Sequence, residues 1–262
     1  MIFDSILYEK RGKIAYITIN RPEKLNALHA TANMEMKEAF TDFANDEKVW
    51  VAILTGTGDK AFSAGNDLKY HAKNVKKGEA YPQASEYPFG GITSNFTCWK
   101  PIIAAVNGYA LGGGLELAMA CDIIIAAENA KLGLPEARVG VVAGAGAVHF
   151  LPRQIPRNIA LGMLFTGKSI TATEAFNFGL LNEVVTSNDL ISRAERWASE
   201  ILKCSPLAIR ATKQMALDGL DRPLKDAMNR SYSEYTNALL SKDYIEGPKA
   251  FSEKRPPEWV GK

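Results

Sequence analysis

Residues 101–118 read PIIAAVNGYALGGGLELA, a stretch that predicts a buried strand leading through a glycine turn into a helix. The short apolar run 101–106 is typical of a strand covered on both faces. The turn Gly112–Gly114 lets the backbone approach a ligand closely and leaves the first helical N–H groups pointing outward. Such a turn binds a phosphate or an oxyanion. No Gly-Lys-Ser/Thr follows and the G-x-G-x-x-G spacing is absent, so neither a P-loop nor a dinucleotide fingerprint is present.

Two glutamates near this turn are the candidate chemical groups. Glu116 lies two positions beyond the last glycine, and Glu136 closes the sequence Gly-Leu-Pro-Glu. The strand-like run Ile123–Ala127 between them leaves room for both carboxylates to return to one cavity. A carboxylate pair beside free N–H groups can move protons next to a polarised carbonyl. The alternatives are a glutamate that only stabilises the helix dipole and a solvated Pro-Glu turn.

A second loop, Phe62–Leu68, also follows a strand-like segment and could supply another N–H donor. Two backbone donors on one thioester oxygen stabilise an enolate, since removing one such donor typically costs about 3–4 kcal/mol. An ordinary Ser/Gly/Asn/Asp turn is the alternative at this position.

Composition bounds the class of protein. The chain has 262 residues, 47% hydrophobic content and a formal net charge of +2, which predicts one main domain with an appendage. The mixed charge gives no basic stripe for nucleic acid, and no apolar run is long enough for a membrane span. The three cysteines and three histidines are scattered, so no metal site is indicated. We expect a reducing, cytoplasmic location.

Periodicity predicts an α/β core over residues 1–205 and a helical C-terminal region over 206–262. Residues 69–99 lack clean periodicity and are interpreted as a mobile insertion that shapes a pocket. The strands are predicted at 13–20, 50–55, 101–106, 122–127 and 181–185. The helices are predicted at 30–45, 157–166, 173–178, 190–203, 206–218 and 223–240, with a further helix that begins in the triple glycine.

The string from Ile102 to Ala118 closely resembles the signature of the crotonase (enoyl-CoA hydratase/isomerase) superfamily. Further similar segments cover the whole chain in order: 20–22, 25–28, 62–68, 134–136 with 140, 166–167 and 246–255. The segment Pro88–Gly91 and the C-terminal Pro-x-Trp are similar to the carnitinyl-CoA dehydratase branch. The resemblance implies a spiral of ββα units, with homotrimers or homohexamers formed through the C-terminal helices.

The resemblance also implies roles for individual residues. The N–H groups of Asn66 and Gly113 would bind the thioester oxygen of an acyl-CoA substrate, and Glu116 and Glu136 would act together on one water. Gly144 would help to place that water. The remaining substrate contacts would be Lys24, Leu25, Asn26, Ala27, Ala64, Asp67, Leu68 and Gly112. No metal and no cofactor other than the coenzyme A of the substrate is expected.

The two glutamates favour hydration or dehydration, because isomerases of the family commonly keep only the second one. Delta-isomerisation and hydrolysis or carbon–carbon cleavage of a cyclic oxoacyl-CoA stay open, as does a non-enzymatic RNA-binding or interaction module. Two departures from the family pattern affect the pocket. Asn66 stands where many hydratases have alanine, and residues 143–149 (AGAGAVH) replace the usual Pro-Gly-x-Gly-Gly-Thr.

Overall fold

The computed structural model describes residues 1–74 and 88–262, which contain ten β-strands and eleven α-helices. The strands are β1 (Ile6–Arg11), β2 (Ile14–Ile19), β3 (Val51–Gly56), β4 (Ala61–Ser63), β5 (Ile102–Val106), β6 (Tyr109–Leu111), β7 (Ile123–Ala127), β8 (Lys131–Gly133), β9 (Ile170–Thr171) and β10 (Glu183–Val185). The helices are α1 (Ala30–Asn45), α2 (Leu68–Asn74), α3 (Gly113–Met119), α4 (Ala147–Gln154), α5 (Arg157–Thr166), α6 (Ala172–Asn177), α7 (Leu190–Leu202), α8 (Pro206–Leu220), α9 (Leu224–Asn229), α10 (Ser233–Leu239) and α11 (Lys242–Ser252).

The strands form two sheets that the chain visits alternately. The larger sheet has the order β1-β2-β3-β5-β7-β10, and the smaller one has the order β4-β6-β8-β9. The pairs β3/β4, β5/β6 and β7/β8 each place one strand in the large sheet and the next strand in the small sheet. The strands pair in parallel, apart from β1 with β2 and β8 with β9. This arrangement confirms the expected spiral of ββα units.

The parallel strands β3, β5 and β7 at the middle of the large sheet are buried on both faces, as is usual for a parallel sheet. In β5 the side chains of Ile102, Ala104 and Val106 join one apolar cluster, while Ile103 and Ala105 join a second cluster. This split follows from the two-residue period of a strand. Helix α7 covers the second cluster with an apolar face that contains Leu190, Ala194 and Ala198. The run 101–106 therefore contains the buried strand that its sequence predicts, over Ile102–Val106.

The helical C-terminal region is present, but its helix bounds differ from the prediction. The single helix expected over 223–240 is wrong, because Arg230 adopts an extended conformation with ψ 145° and separates α9 from α10. The Gln214 side chain of α8 accepts the Glu234 N–H at 2.8 Å and so satisfies a donor in the first turn of α10. Helices α4 and α11 were not predicted, and each contains an internal proline.

The predicted insertion over 69–99 is only partly covered by the described residues. Residues 69–74 continue α2, and Phe89–Gly91 form a 3₁₀ turn. Residues 75–87 lie outside the described part of the chain. The mobility predicted for the insertion therefore stays a prediction. The division at residue 205 likewise stays a prediction. Among the described residues, no helix has the length and apolarity needed to cross a membrane.

Gly114→Ala should destabilise the fold, since an added Cβ would lie 2.0 Å from the Ser63 carbonyl oxygen, where only backbone can give way. We expect a loss of about 1–3 kcal/mol in the free energy of unfolding, the scale of overpacking, measured by urea denaturation. The matched control is Gly162→Ala in α5, whose added Cβ meets nothing within 4 Å and which should stabilise the helix slightly. Equal denaturation midpoints for the wild type and Gly114→Ala would contradict this account of the turn.

Candidate active site

One cavity of about 390 Å³ brings the glycine turn, the second loop and both glutamates together. Because parallel strands end at the same edge of a sheet, the loops that follow β4, β6 and β8 meet at its mouth. The predicted site residues that line the cavity are Ala64, Asn66, Leu68, Gly112, Gly113, Glu116, Glu136 and Gly144. The residues predicted to be catalytic therefore surround a common space.

Two of the turn glycines have side chains packed closely against them in this cavity. Gly112 has φ +55°, and a Cβ there would lie 2.7 Å from Oε1 of Glu136. A Cβ at Gly113 would lie 2.6 Å from the Phe89 ring. Real Cβ atoms do not approach heavy atoms that closely, so the absence of side chains lets a carboxylate and an aromatic ring touch the backbone turn.

The Glu116 side chain points into the protein. It belongs to the first turn of α3, yet only 3% of its surface is exposed. Its Oε1 accepts the Ala147 N–H at 3.0 Å. Burial raises the pKa of Glu116 to about 7; the Ala147 hydrogen bond opposes this rise, and repulsion from Glu136 adds to it. Glu116 is therefore not a solvated surface residue at the start of the helix, and its side chain lines the cavity.

Glu136 lies in the 3₁₀ turn Pro135–Val139 after β8 and is half-buried. Burial raises its pKa, and a backbone hydrogen bond partly offsets the increase. Its Oε2 is buried and receives no hydrogen bond from any described residue. A buried carboxylate oxygen without a donor is costly, and such groups concentrate where a substrate or water completes the site. The solvated-turn alternative does not fit Glu136.

The two predicted N–H donors lie on loops in direct contact. A Cβ at Gly65 would lie 2.8 Å from the Gly113 nitrogen, which shows how closely the loops approach. Gly113 begins α3, where an N–H has no acceptor within the helix. Asn66 forms a parallel bridge with Leu28, whose hydrogen bonds use Gly65 and Asp67. The backbone N–H of Asn66 therefore points away from Leu28, and Asn66 lines the cavity.

The predicted contacts at 24–27 are not part of the cavity lining. Lys24 and Leu25 are exposed, whereas Ala27 is buried. Asn26 is fully buried: its Nδ2 donates to Thr57 O at 3.0 Å and to Ala61 O at 2.7 Å. Its side chain therefore ties this loop to the sheet, which does not support a direct substrate contact.

Asp67 joins the second loop, Phe62–Leu68, to the segment that contains Arg21. Its Oδ2 pairs with Arg21 at 3.1 Å, while Oδ1 accepts the Tyr70 N–H at 3.1 Å at the start of α2. Arg21 also donates to the Ala27 carbonyl. Asp67 thus holds the second loop in place rather than lining the cavity.

Part of the stretch 69–99, which is predicted to shape a pocket, does line the cavity, through Phe89, Thr93 and Ser94. Sequence reasoning missed Asn33 of α1 and three valines of the cavity wall, at 139, 141 and 142. His149 is exposed and does not line the cavity. No group of described residues could hold a metal ion.

The raised pKa of Glu116 predicts a pH-dependent stability cost. Folding raises the pKa of this carboxyl from 4.5 to about 7. Its contribution to the free energy of unfolding is therefore most favourable below pH 4.5 and is lost as the pH rises through 7. Glu116→Gln should remove this dependence and gain up to about 3 kcal/mol relative to wild type between pH 4.5 and pH 8. Urea unfolding of both proteins at the two pH values measures the difference.

The control for this measurement is Glu38→Gln, which makes the same chemical change on an exposed side chain of α1. It should follow the pH dependence of the wild type. If Glu116→Gln also follows it, the burial account of Glu116 is incorrect.

Comparison with known proteins agrees with this geometry. A family model described as "Enoyl-CoA hydratase/isomerase" matches residues 9–262. Carnitinyl-CoA dehydratases from Shigella flexneri and Escherichia coli are each 43% identical to the chain over 265 positions, covering 99% of both proteins.

Solved structures show the same fold over the whole chain. A putative short chain enoyl-CoA hydratase from Novosphingobium aromaticivorans is 38% identical with a TM-score of 0.88, covering 98% of each chain. An enoyl-CoA hydratase from Mycobacterium tuberculosis is 36% identical with a TM-score of 0.89, covering 98% of this chain and 99% of that one. The matched residues, the shared fold and the two glutamates on one cavity together place this chain in the enoyl-CoA hydratase/isomerase family.

Proposed function

We propose that this protein is a hydro-lyase that adds water to, or removes it from, the 2,3 bond of an acyl-CoA thioester. The observation that carries the proposal is the pair Glu116 and Glu136 on one cavity beside the N-terminus of α3. An isomerase moves a proton between two carbons and needs only one such group. A hydro-lyase must handle a proton on water and another on carbon, which suits two carboxyl groups.

The chemistry assigns distinct roles to backbone and side chains. The N–H groups of Asn66 and Gly113 would hold the thioester oxygen and stabilise the enolate that forms during reaction. In the hydration direction, one carboxylate accepts a proton from the water that attacks carbon 3. The other carboxyl group delivers a proton to carbon 2, so no net charge is gained. Burial raises the pKa of both carboxyl groups, that of Glu116 to about 7, which makes the protonated form of Glu116 accessible near neutral pH.

The relatives bear on the choice of reaction. Those named above are dehydratases and hydratases, so isomerisation, hydrolysis of a cyclic oxoacyl-CoA and an RNA-binding role are not favoured. A carnitinyl thioester is the second candidate substrate, because carnitinyl-CoA dehydratases are 43% identical over nearly the full length.

The proposal extends to coenzyme A itself. The thioester end would meet Ala64, Leu68, Gly112 and Gly144 in the cavity, with Gly144 near the water. The rest of the substrate's coenzyme A moiety would pass the exposed Lys24 and Leu25, with Asn26, Ala27 and Asp67 supporting that loop from behind. Lys24 carries a charge opposite to that of the phosphates. No metal and no second cofactor enters this proposal.

Assembly into homotrimers or homohexamers is also proposed, through the C-terminal helices. Large apolar side chains stay exposed there, notably Leu240 at 83%, Ile245 at 70% and Phe251 at 87%. An apolar surface of this kind marks an interface. A cytoplasmic location, with no nucleic acid or membrane partner, completes the proposal.

Substitution of either glutamate should abolish most of the activity. Glu116→Gln and Glu136→Gln are each expected to lower kcat for hydration of crotonyl-CoA at least about 100-fold, the scale of general acid–base catalysis. Loss of the enoyl-thioester absorbance measures the rate, and the same panel includes carnitinyl-CoA in the dehydration direction. The exposed Glu38→Gln is the control and should keep the wild-type rate.

Two results for Glu116→Gln would contradict the proposal. Full hydration activity would refute the two-carboxylate mechanism. Full transfer of a 3,4 double bond to the 2,3 position would favour the isomerase.

Phe251→Glu should weaken the proposed assembly, because a charge in an apolar interface must be desolvated without a partner. Light scattering after size-exclusion chromatography should give the wild type a molar mass three or six times that of one chain, and the variant a smaller molar mass. The exposed Lys48→Glu is the control. An unchanged mass for Phe251→Glu would exclude this helix face from the interface.

A further inference from the structure

The Phe89 ring lies directly against the backbone that is proposed to hold the thioester oxygen. Its Cε1 and Cζ atoms occupy the space beside Gly113, 2.6 Å from where a Cβ would be, and Phe89 also lines the cavity. The ring is therefore a wall of the site at the position of the reacting carbonyl. The mechanism proposed above assigns no role to it.

The turn that carries Phe89 is wedged between two helices. Gly90 has φ +58°, and a Cβ there would lie 2.6 Å from Cδ1 of Leu117 in α3. Gly91 has φ +80°, and its Cβ would lie 2.6 Å from the Lys37 nitrogen in α1. Both glycines adopt conformations that other residues rarely take, and both have backbone or core atoms at contact distance. The position of the turn is thus fixed by the packing of α1 and α3.

One side chain connects this turn to α1. Asn33 is only 6% exposed, and its Oδ1 accepts the Gly90 N–H at 2.7 Å. Its Nδ2 donates to the His29 carbonyl at 3.2 Å, which fixes the orientation of the amide. Removing the acceptor would leave the buried Gly90 N–H without a partner, a cost that displaces the turn. Asn33 also lines the cavity beside Phe89.

We propose that Asn33 is a positioning residue which, through Gly90, holds the Phe89 ring beside Gly113, and that the ring selects acyl groups unbranched at carbon 2. This inference rests on the proposed function, because it takes the Gly113 N–H as a ligand of the thioester oxygen. Carbon 2 lies about 2.4 Å from that oxygen, so a methyl group on carbon 2 reaches about one bond length further. A substituent there competes with the ring for the same space.

The first test compares crotonyl-CoA with 2-methylcrotonyl-CoA as substrates. Phe89→Ala should shift the ratio of their kcat/KM values at least about 10-fold toward the branched substrate, since one methyl group is worth about 10–200-fold in a fitted pocket. An unchanged ratio in Phe89→Ala would overturn the assignment of the ring.

The second test separates positioning from general stability. Asn33→Leu lacks the acceptor and should shift the same ratio in the same direction, whereas Asn33→Asp keeps the acceptor oxygen and should retain the wild-type ratio. In a Phe89→Ala background, Asn33→Leu should have little further effect on the ratio. Met34→Ala, at an exposed neighbour on α1, is the control.

A merely structural role for Asn33 would lower both kcat/KM values together and leave their ratio unchanged. That result, or fully additive effects of the two substitutions, would overturn the positioning role. If Asn33→Leu fails to fold, Asn33→Ala is measured in its place.

The third test does not depend on turnover. Butyryl-CoA and 2-methylbutyryl-CoA lack the double bond, so their dissociation constants can be measured by calorimetry without reaction. Wild type should bind butyryl-CoA more tightly, and Phe89→Ala should reduce the difference at least about 10-fold. If neither crotonyl-CoA nor carnitinyl-CoA is turned over but this binding ratio shifts, the hydro-lyase proposal fails while the role of the Phe89 ring in acyl-CoA binding stands. Equal binding of both ligands by the wild type would overturn the inference.

Discussion

The close approach of two loops at the glycine turn is the contact on which the site depends. The Gly65 loop lies within van der Waals distance of the Gly113 nitrogen, and Gly114 lies against the Ser63 carbonyl. No side chain fits between them, so the turn must be glycine. The contact places the first turn of α3 directly beside Ser63, the last residue of β4. Because α3 starts there, its first N–H groups and the Glu116 carboxyl meet the same cavity. The start of α3 at Gly113 thus determines which backbone and carboxyl groups face the cavity.

The site is maintained against a cost in stability. Glu116 is nearly excluded from water, and its carboxylate accepts the Ala147 N–H at 3.0 Å. Glu136 has an oxygen without a described donor. Burial raises the pKa of both carboxyl groups, and repulsion from Glu136 adds to the rise at Glu116; a protein selected for stability alone would not retain them. The proposed acid–base roles would use this cost, because a carboxyl group with a raised pKa can hold a proton near neutral pH.

Much of the fold was predictable because its signals are local. The helices at 30–45 and 157–166 and the central strand carry apolar periodicity within one element, and the structure reproduces them. The cavity also gathers Glu116 and Glu136 as predicted, although their roles stay a proposal. The errors arise where distant residues decide. Gln214 helps begin a helix 20 residues further on, and Asn33 binds a turn 57 residues away. No periodicity within one segment contains such information.

A structure with bound butyryl-CoA would show whether the two loops hold the thioester, since this ligand carries the thioester but has no double bond to hydrate. We expect the thioester oxygen at about 3 Å from the backbone nitrogens of both Asn66 and Gly113. We also expect carbons 2 and 3 to lie between Glu116 and Glu136. A thioester oxygen placed away from both nitrogens, or an acyl chain that leaves the cavity without passing the two carboxyl groups, would contradict the account.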